Sequence, residues 1–257
     1  MNINQPVVIV GIGEIGSVFG RGLLRAGHPV VPVVREAPAA AIAADIPDPL
    51  LTMVTVGEAD LDATLESLPY QWRGNTALVQ NELLPCNWEQ HGLENPTIAV
   101  VWFEKKSGRD FKVLIPTPVY GPGTKLLTAA LNSIGIAAFA VADDNELLYE
   151  LVRKNLYILT ANIGGLMTRD TVHDLWYNHR SLAEEVAADV FQIQTWLADA
   201  ELDKETLMAG MVEAFDADPE HGATGRSAPT RLARALAHAD QAGLPVPSLR
   251  AIAAQLA

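Results

Sequence analysis

Val7-Val8-Ile9-Val10 runs directly into Gly11-Ile12-Gly13-Glu14-Ile15-Gly16. The β-branched run predicts a strand, and the G-x-G-x-x-G predicts a turn. Ile15, Val18, Phe19, Leu23 and Leu24 then recur at helical spacing. A strand, a glycine loop and a helix in this order can hold the pyrophosphate of a dinucleotide. Gly11 permits the tight turn, Gly13 lets the backbone approach the phosphates, and Gly16 lets the helix pack close to the strand. The first-turn N–H groups and the positive end of the helix dipole face the anion. Gly11, Ile12, Gly13, Glu14, Ile15 and Gly16 are therefore the candidate cofactor loop.

The chain has 257 residues, nearly half of them hydrophobic. That is enough for one large domain or two modest ones. Cys86 is the sole cysteine, so no intrachain disulfide can form and a reducing compartment is expected. Cys86 reads as a passenger, with a reactive thiol as the alternative. The N-terminus lacks the basic start of a signal peptide, and no run approaches the roughly 20 apolar residues of a membrane span. The expectation is a cytoplasmic protein with no membrane partner. A formal charge of −13 argues against a nucleic-acid surface. An anionic cofactor would have to rely on backbone N–H groups and a few placed cations.

Strand and helix signals alternate through the first half. Val30–Val34 reads as a second strand, short or irregular because Pro32 lacks a ladder N–H, and Arg35-Glu36 stand at its end. Residues 37–50 read as a surface crossover. Further strands are expected over 50–56, 76–80, 97–103, 112–115 and 136–141, with helices over 61–68 and 124–134. Beyond residue 143 the strand signal disappears. Residues 146–166 form a long helical pattern capped at Asp144 or Asn145, with a break expected near Gly164-Gly165. Ser181 and Glu184 have the spacing of a capping box. Asp203 should cap a helix over 204–215, and Gly243 should end one over 229–242. The expected architecture is a Rossmann-type doubly wound α/β domain over 1–142, followed by an all-helical substrate or dimerisation domain over 143–257. A site would lie in the cleft between them.

Asp143-Asp144-Asn145-Glu146-Leu147-Leu148-Tyr149-Glu150-Leu151-Val152-Arg153-Lys154-Asn155, with Thr160-Ala161-Asn162-Ile163-Gly164-Gly165-Leu166-Met167-Thr168, resembles the ketopantoate reductase (2-dehydropantoate 2-reductase) family. That family joins a Rossmann domain to a helical domain whose first helix carries a catalytic lysine, followed by asparagines at four-residue intervals. The resemblance places Lys154 on the lysine and Asn162 on the second asparagine, with Ile158 in place of the first. It places Arg35 on an arginine that holds the 2′-phosphate of NADPH, and Asn81, in Leu78-Val79-Gln80-Asn81-Glu82, on an asparagine beside the nicotinamide. A family lysine falls near Gly57-Glu58, and a family glutamate near Ser227. Gln241-Ala242-Gly243-Leu244-Pro245-Val246-Pro247 resembles the family's closing pattern.

The resemblance implies an NADPH-dependent reductase of a small 2-keto acid, and the apolar helical domain is a place where a homodimer face can lie. Lys154 would be the proton donor, and Asn155 is the next candidate after Asn162 to hydrogen-bond a substrate hydroxyl or carboxylate. Gly11 to Gly16, Arg35 and Asn81 would bind NADP(H), while Asn81, Asn162 and Ser227 would contact substrate. Glu36, next to Arg35, keeps NAD open as the alternative. A second reading is a sensor or partner protein that binds NADP without turnover. A third is the same cleft acting on an imine or a hydroxy acid. His221 and Arg226 lie in a glycine-rich loop that reads as a connector, with contact to an anionic substrate as the alternative. His173, Asp174 and His179 match no metal-ligand spacing, so no metal is expected. Trp176 and Tyr177 read as packing residues.

Overall fold

The computed structural model describes residues 5–34 and 37–256. In the first part of the chain the elements are β1 (Val7–Val10), α1 (Glu14–Arg25), β2 (Val30–Val33), α2 (Ala39–Asp45), β3 (Leu51–Val54) and α3 (Leu61–Ser67). They continue with β4 (Thr76–Leu78), α4 (Pro85–Glu89), β5 (Thr97–Ala99), β6 (Phe103–Glu104) and β7 (Lys112–Val113). Next come β8 (Thr117–Tyr120), α5 (Thr124–Ser133) and β9 (Ala138–Ala140). Helices follow: α6 (Asp144–Thr168), α7 (Val172–Tyr177), α8 (Arg180–Ala198), α9 (Lys204–Ala217), α10 (Ala228–Ala242) and α11 (Pro247–Leu256). The chain divides into two compact units, Met1–Glu150 and Leu151–Ala257, with the division falling inside α6.

The first unit is a doubly wound sheet of order β2-β1-β3-β4-β5-β8-β9. Strands β1 to β5 are parallel, and β8 runs antiparallel to β5 with β9 parallel to β8. β1 has no polar alternation because both of its faces are covered: all four residues are buried. Val7 and Ile9 join Phe19 and Leu23 of α1, Met53 of β3, and Leu127 and Leu131 of α5 in one apolar cluster. Pro32 is tolerated because β2 is the edge strand, where a missing N–H interrupts no inner ladder.

Several expected elements are corrected. Residues 37–50 contain α2, which begins after Pro38 and is rich in alanine, the best helix former. The expected strand over 97–103 ends at Ala99. Phe103–Glu104 belongs to a separate antiparallel hairpin with Lys112–Val113, and β8 takes the place beside β5. The hairpin rests on α1 through Phe103, whose ring centroid lies 5.8 Å from that of Phe19, and through an Arg21–Asp110 ion pair.

In the second unit α8 packs against α7, α10 and α11. Gly164-Gly165 does not break α6, which continues to Thr168. The pair instead allows close approach. A Cβ on Gly164 would stand 2.9 Å from the Leu175 side chain, and one on Gly165 would stand 2.8 Å from the backbone at Ala223-Thr224. The cap of α6 is Asp143 rather than Asp144 or Asn145: its carboxylate accepts from the Glu146 N–H, while Glu146 accepts from the Ala142 N–H. The Ser181–Glu184 box does not form either. Helix α8 has already begun at Arg180, whose guanidinium takes Glu184, and Ser181 donates to Glu185. Asp203 does cap α9 by accepting from the Thr206 N–H, and Gly243 ends α10 at φ 66°. Trp176 packs on Phe215, and Tyr177, half exposed, packs its ring on His173 and donates to Asp216.

Candidate active site

The order of the sheet reverses at β1: the chain passes to β2 on one side and then to β3 on the other. Ligands bind open α/β sheets beyond the carboxyl ends of the strands at such a switch point. An open groove of about 790 Å³ lies there, lined by Gly11, Ile12 and Gly13, by Val33 and Val34 after β2, and by Thr55, Val56 and Gly57 after β3. Among the described residues that line it there is no lysine or arginine, and Asp60 is the charged one.

The three glycines answer three different demands. Gly11 has φ 90°, and a Cβ there would meet Val56 Cγ1 at 2.9 Å. A Cβ on Gly16 would come within 2.5 Å of both the Gly11 carbonyl oxygen and Thr55 Oγ1, so α1 seats against the loop only without a side chain. Gly13 differs: its φ of −74° suits any residue, and nothing lies within 4 Å of its missing Cβ. The chain itself gives no steric reason for glycine at that position. A ligand filling the open space would give one, and the groove fits a dinucleotide on this ground.

The loop is held from within. The Gly13 N–H donates to the Gly11 carbonyl at 2.8 Å, and the Ser17 N–H opens the helical ladder by donating to Gly13 at 2.9 Å. The N–H groups of Glu14, Ile15 and Gly16 thus belong to the first turn, which has no acceptor within its own helix. Thr55 Oγ1 donates to the Gly11 carbonyl, and its N–H to the Val10 carbonyl. Ile12 and Val34 are large apolar side chains more than a third exposed, and both line the groove. They supply the kind of apolar wall an adenine ring needs.

Arg35, the candidate 2′-phosphate ligand, lies outside the described residues, as does Glu36. Asn81 follows β4 and donates to Glu58 Oε1 at 2.9 Å. Gln80 donates to the carbonyls of Val54 and Val56, joining the ends of β3 and β4. Cys86 is half-buried, and burial followed by the Glu89 carboxylate pushes its thiol up, away from the reactive thiolate.

In the second unit Lys154 lies on α6 and is 9% exposed, with its ammonium 5.7 Å from the Tyr157 ring centroid. Lysines are seldom buried this far, so a solvated helix lysine is excluded. Asn155 Nδ2 donates to Gln194 Oε1 at 2.8 Å in the core between α6 and α8. Asn162 accepts from Arg231 Nη1 at 2.7 Å and donates to the Ala223 carbonyl at 3.2 Å, which ties α6 to α10 and the loop before it. Ser227 is exposed at the head of α10. His221 lies 3.5 Å from Asp218, and Arg226 is exposed. No cluster of His, Cys, Asp and Glu that could hold a metal occurs among the described residues. No helix among them is long and apolar enough to cross a membrane.

Sequence reasoning missed Thr55, Gln80 and Lys105. Thr55 and Gln80 are polar residues directly after apolar strand runs, a local signal that could have found them. Lys105, in the hairpin, pairs with Glu14 at 3.0 Å across a long stretch of chain, and no local pattern announces that contact.

No family model matches the chain, and no curated protein matches it. Solved structures do. A dimeric ketopantoate reductase from Staphylococcus aureus is 18% identical, with 98% of this chain and 97% of that one covered and a TM-score of 0.67. A 2-dehydropantoate 2-reductase from Methylococcus capsulatus is 13% identical over 98% and 95%, with a TM-score of 0.72. A D-mandelate dehydrogenase solved in complex with NADH is 14% identical over 97% and 96%, with a TM-score of 0.68. The chain therefore carries the fold of the ketopantoate reductases, at a sequence distance where likeness speaks for fold alone.

Proposed function

We propose that the protein is a divergent member of the ketopantoate reductase family, a nicotinamide-dependent oxidoreductase that reduces a small 2-keto acid. The observation that carries this reading is the space at Gly13: a glycine required by nothing in the chain, at the switch point of the sheet, beside a loop of first-turn amides. The two domains assigned from sequence, 1–142 and 143–257, serve in this proposal as cofactor and substrate domains. A homodimer and a cytoplasmic setting belong to the same proposal.

The loop from Gly11 to Gly16 holds the pyrophosphate through backbone N–H groups. Arg35 selects the 2′-phosphate, so NADPH is preferred over NADH. Asn81 orients the nicotinamide end, and Asn162 and Ser227 contact substrate. When bound, the nicotinamide supplies a hydride to the carbonyl carbon. Negative charge then collects on the carbonyl oxygen, and Lys154 stabilises it and delivers the proton that completes the alcohol.

The test is loss of NADPH absorbance when 2-keto acids, ketopantoate among them, are added. Turnover by the unaltered chain, falling by about 10²- to 10⁴-fold in Lys154→Ala with cofactor affinity retained, is the expected result. An undiminished rate removes Lys154 from the chemistry. A second reading, a protein that binds NADP without turnover, is favoured by Ile158 in the place of a family asparagine and by the commitment of both ends of the Asn162 amide. Binding without oxidation of any acid in the panel would select it.

A further inference from the structure

Glu14 is an unusual residue to find in a loop that receives an anion. It stands in the first turn of α1, directly after Gly13, and its carboxylate is a little under half exposed. A pyrophosphate seated on the same turn would be repelled by it. Among the described residues that line it, the groove offers no lysine or arginine; Arg35, proposed for the 2′-phosphate, lies outside the described residues. The neighbouring cation comes from the β6–β7 hairpin: Lys105 Nζ lies 3.0 Å from Glu14 Oε2 and also donates to the Lys106 carbonyl at 3.1 Å. The Lys105 side chain is 18% exposed, less than half the exposure of its partner. The hairpin is anchored to the same helix by the Phe19–Phe103 contact, the Arg21–Asp110 pair and the Arg21 guanidinium over the Phe111 ring. Lys105 is thus delivered to the head of α1 by a braced element.

We infer that Lys105 is the pyrophosphate-binding cation of this protein, held at the phosphate loop by Glu14 until the dinucleotide arrives. The inference rests on the reading of the groove as a dinucleotide site. The ammonium exchanges a carboxylate for a phosphate oxygen of the ligand, and the Glu14 carboxylate, 44% exposed, is left to water. Glu14 then acts as a competitor that lowers affinity while keeping the lysine in place. Because the contact is to the pyrophosphate, it serves NADPH, NADH and ADP-ribose alike.

The experiment is calorimetric titration of those three ligands into the full chain and into Lys105→Met, Lys105→Arg, Glu14→Gln and the Glu14→Gln/Lys105→Met double variant. Lys105→Met should raise Kd about tenfold or more for all three ligands, the size of one charge-assisted hydrogen bond, and Lys105→Arg should restore most of the loss. Glu14→Gln should tighten binding. The deciding comparison is Lys105→Met in the Glu14→Gln background. A loss that persists there shows direct contact with phosphate. A loss that vanishes shows that Lys105 only neutralises Glu14, and overturns the inference. Equal affinity of the unaltered chain and Lys105→Met overturns it too, while leaving the dinucleotide site intact. Failure of the unaltered chain to bind any of the three ligands overturns both.

Discussion

Thr55 Oγ1 donates to the carbonyl oxygen of Gly11 at 2.6 Å, joining the residue after β3 to the first glycine of the loop after β1. The same hydroxyl lies 3.2 Å from the Val10 carbonyl, and the residue is 9% exposed. This bond fixes the curvature of the loop at the point where Gly16 leaves no room for slack. Thr55→Val keeps the shape but leaves the Gly11 carbonyl without that donor. The expected cost is about 1–3 kcal/mol in urea unfolding, together with weaker binding of NADPH. Unchanged stability and affinity would show that the loop holds its form without Thr55.

Asn155 sits one position after the proposed proton donor but is engaged elsewhere. Its amide donates to Gln194, and both side chains are buried. Asn155→Ala should cost about 1–3 kcal/mol by leaving a buried amide oxygen unsatisfied. A double-mutant cycle with Gln194→Ala should give a coupling of about 0.5–3 kcal/mol. Additive losses in denaturation would contradict the pairing.

Asp189 is buried on α8 and accepts from the N–H groups of Ser248 and Leu249 at the start of α11. Burial pushes its carboxyl up from the usual aspartate range, outweighing the two backbone hydrogen bonds that lower it. A carboxyl that holds its proton more tightly folded than unfolded favours the native state fully below its unfolded pKa. That contribution is lost as pH rises through the raised folded value and is constant above it. Asp189→Asn retains an acceptor for both N–H groups and should flatten this limb of a stability-versus-pH curve. An identical slope in the variant would assign the dependence to other groups.

The parts of the fold legible in sequence were those set by neighbours in the chain. The β1 run, the glycine loop and α1 are contiguous, and Gly11 and Gly16 are required by the turn and by close approach. Asp203 and Gly243 could be read as caps for the same reason. Strand β8 was hidden because Pro118 lies within it and prolines flank it at 116 and 122, so its place is set by the antiparallel partner β5. The Ser181–Glu184 pair has the right letters, but Arg180 starts the helix earlier and draws Glu184 away. At the site, Asn162 could be named as polar on α6, whereas its bond to Arg231 depends on how the helices pack. The Lys105–Glu14 pair joins residues far apart in sequence, and only the folded hairpin brings them together.

The central claim is that a dinucleotide fills the space beside Gly13, and Gly13→Val tests it with Gly16→Ala as a control. A Cβ at position 13 meets nothing within 4 Å, so Gly13→Val should lose only the roughly 1 kcal/mol of a poorer N-cap. Gly16→Ala forces the loop apart and should cost about 1–3 kcal/mol of stability. Calorimetric titration with NADPH and NADH is the measurement. The account predicts heat of binding for the unaltered chain and its loss in a Gly13→Val that still unfolds cooperatively, at no more than the small N-cap cost. Binding by Gly13→Val as tight as that of the unaltered chain, or no heat from either coenzyme, would contradict it.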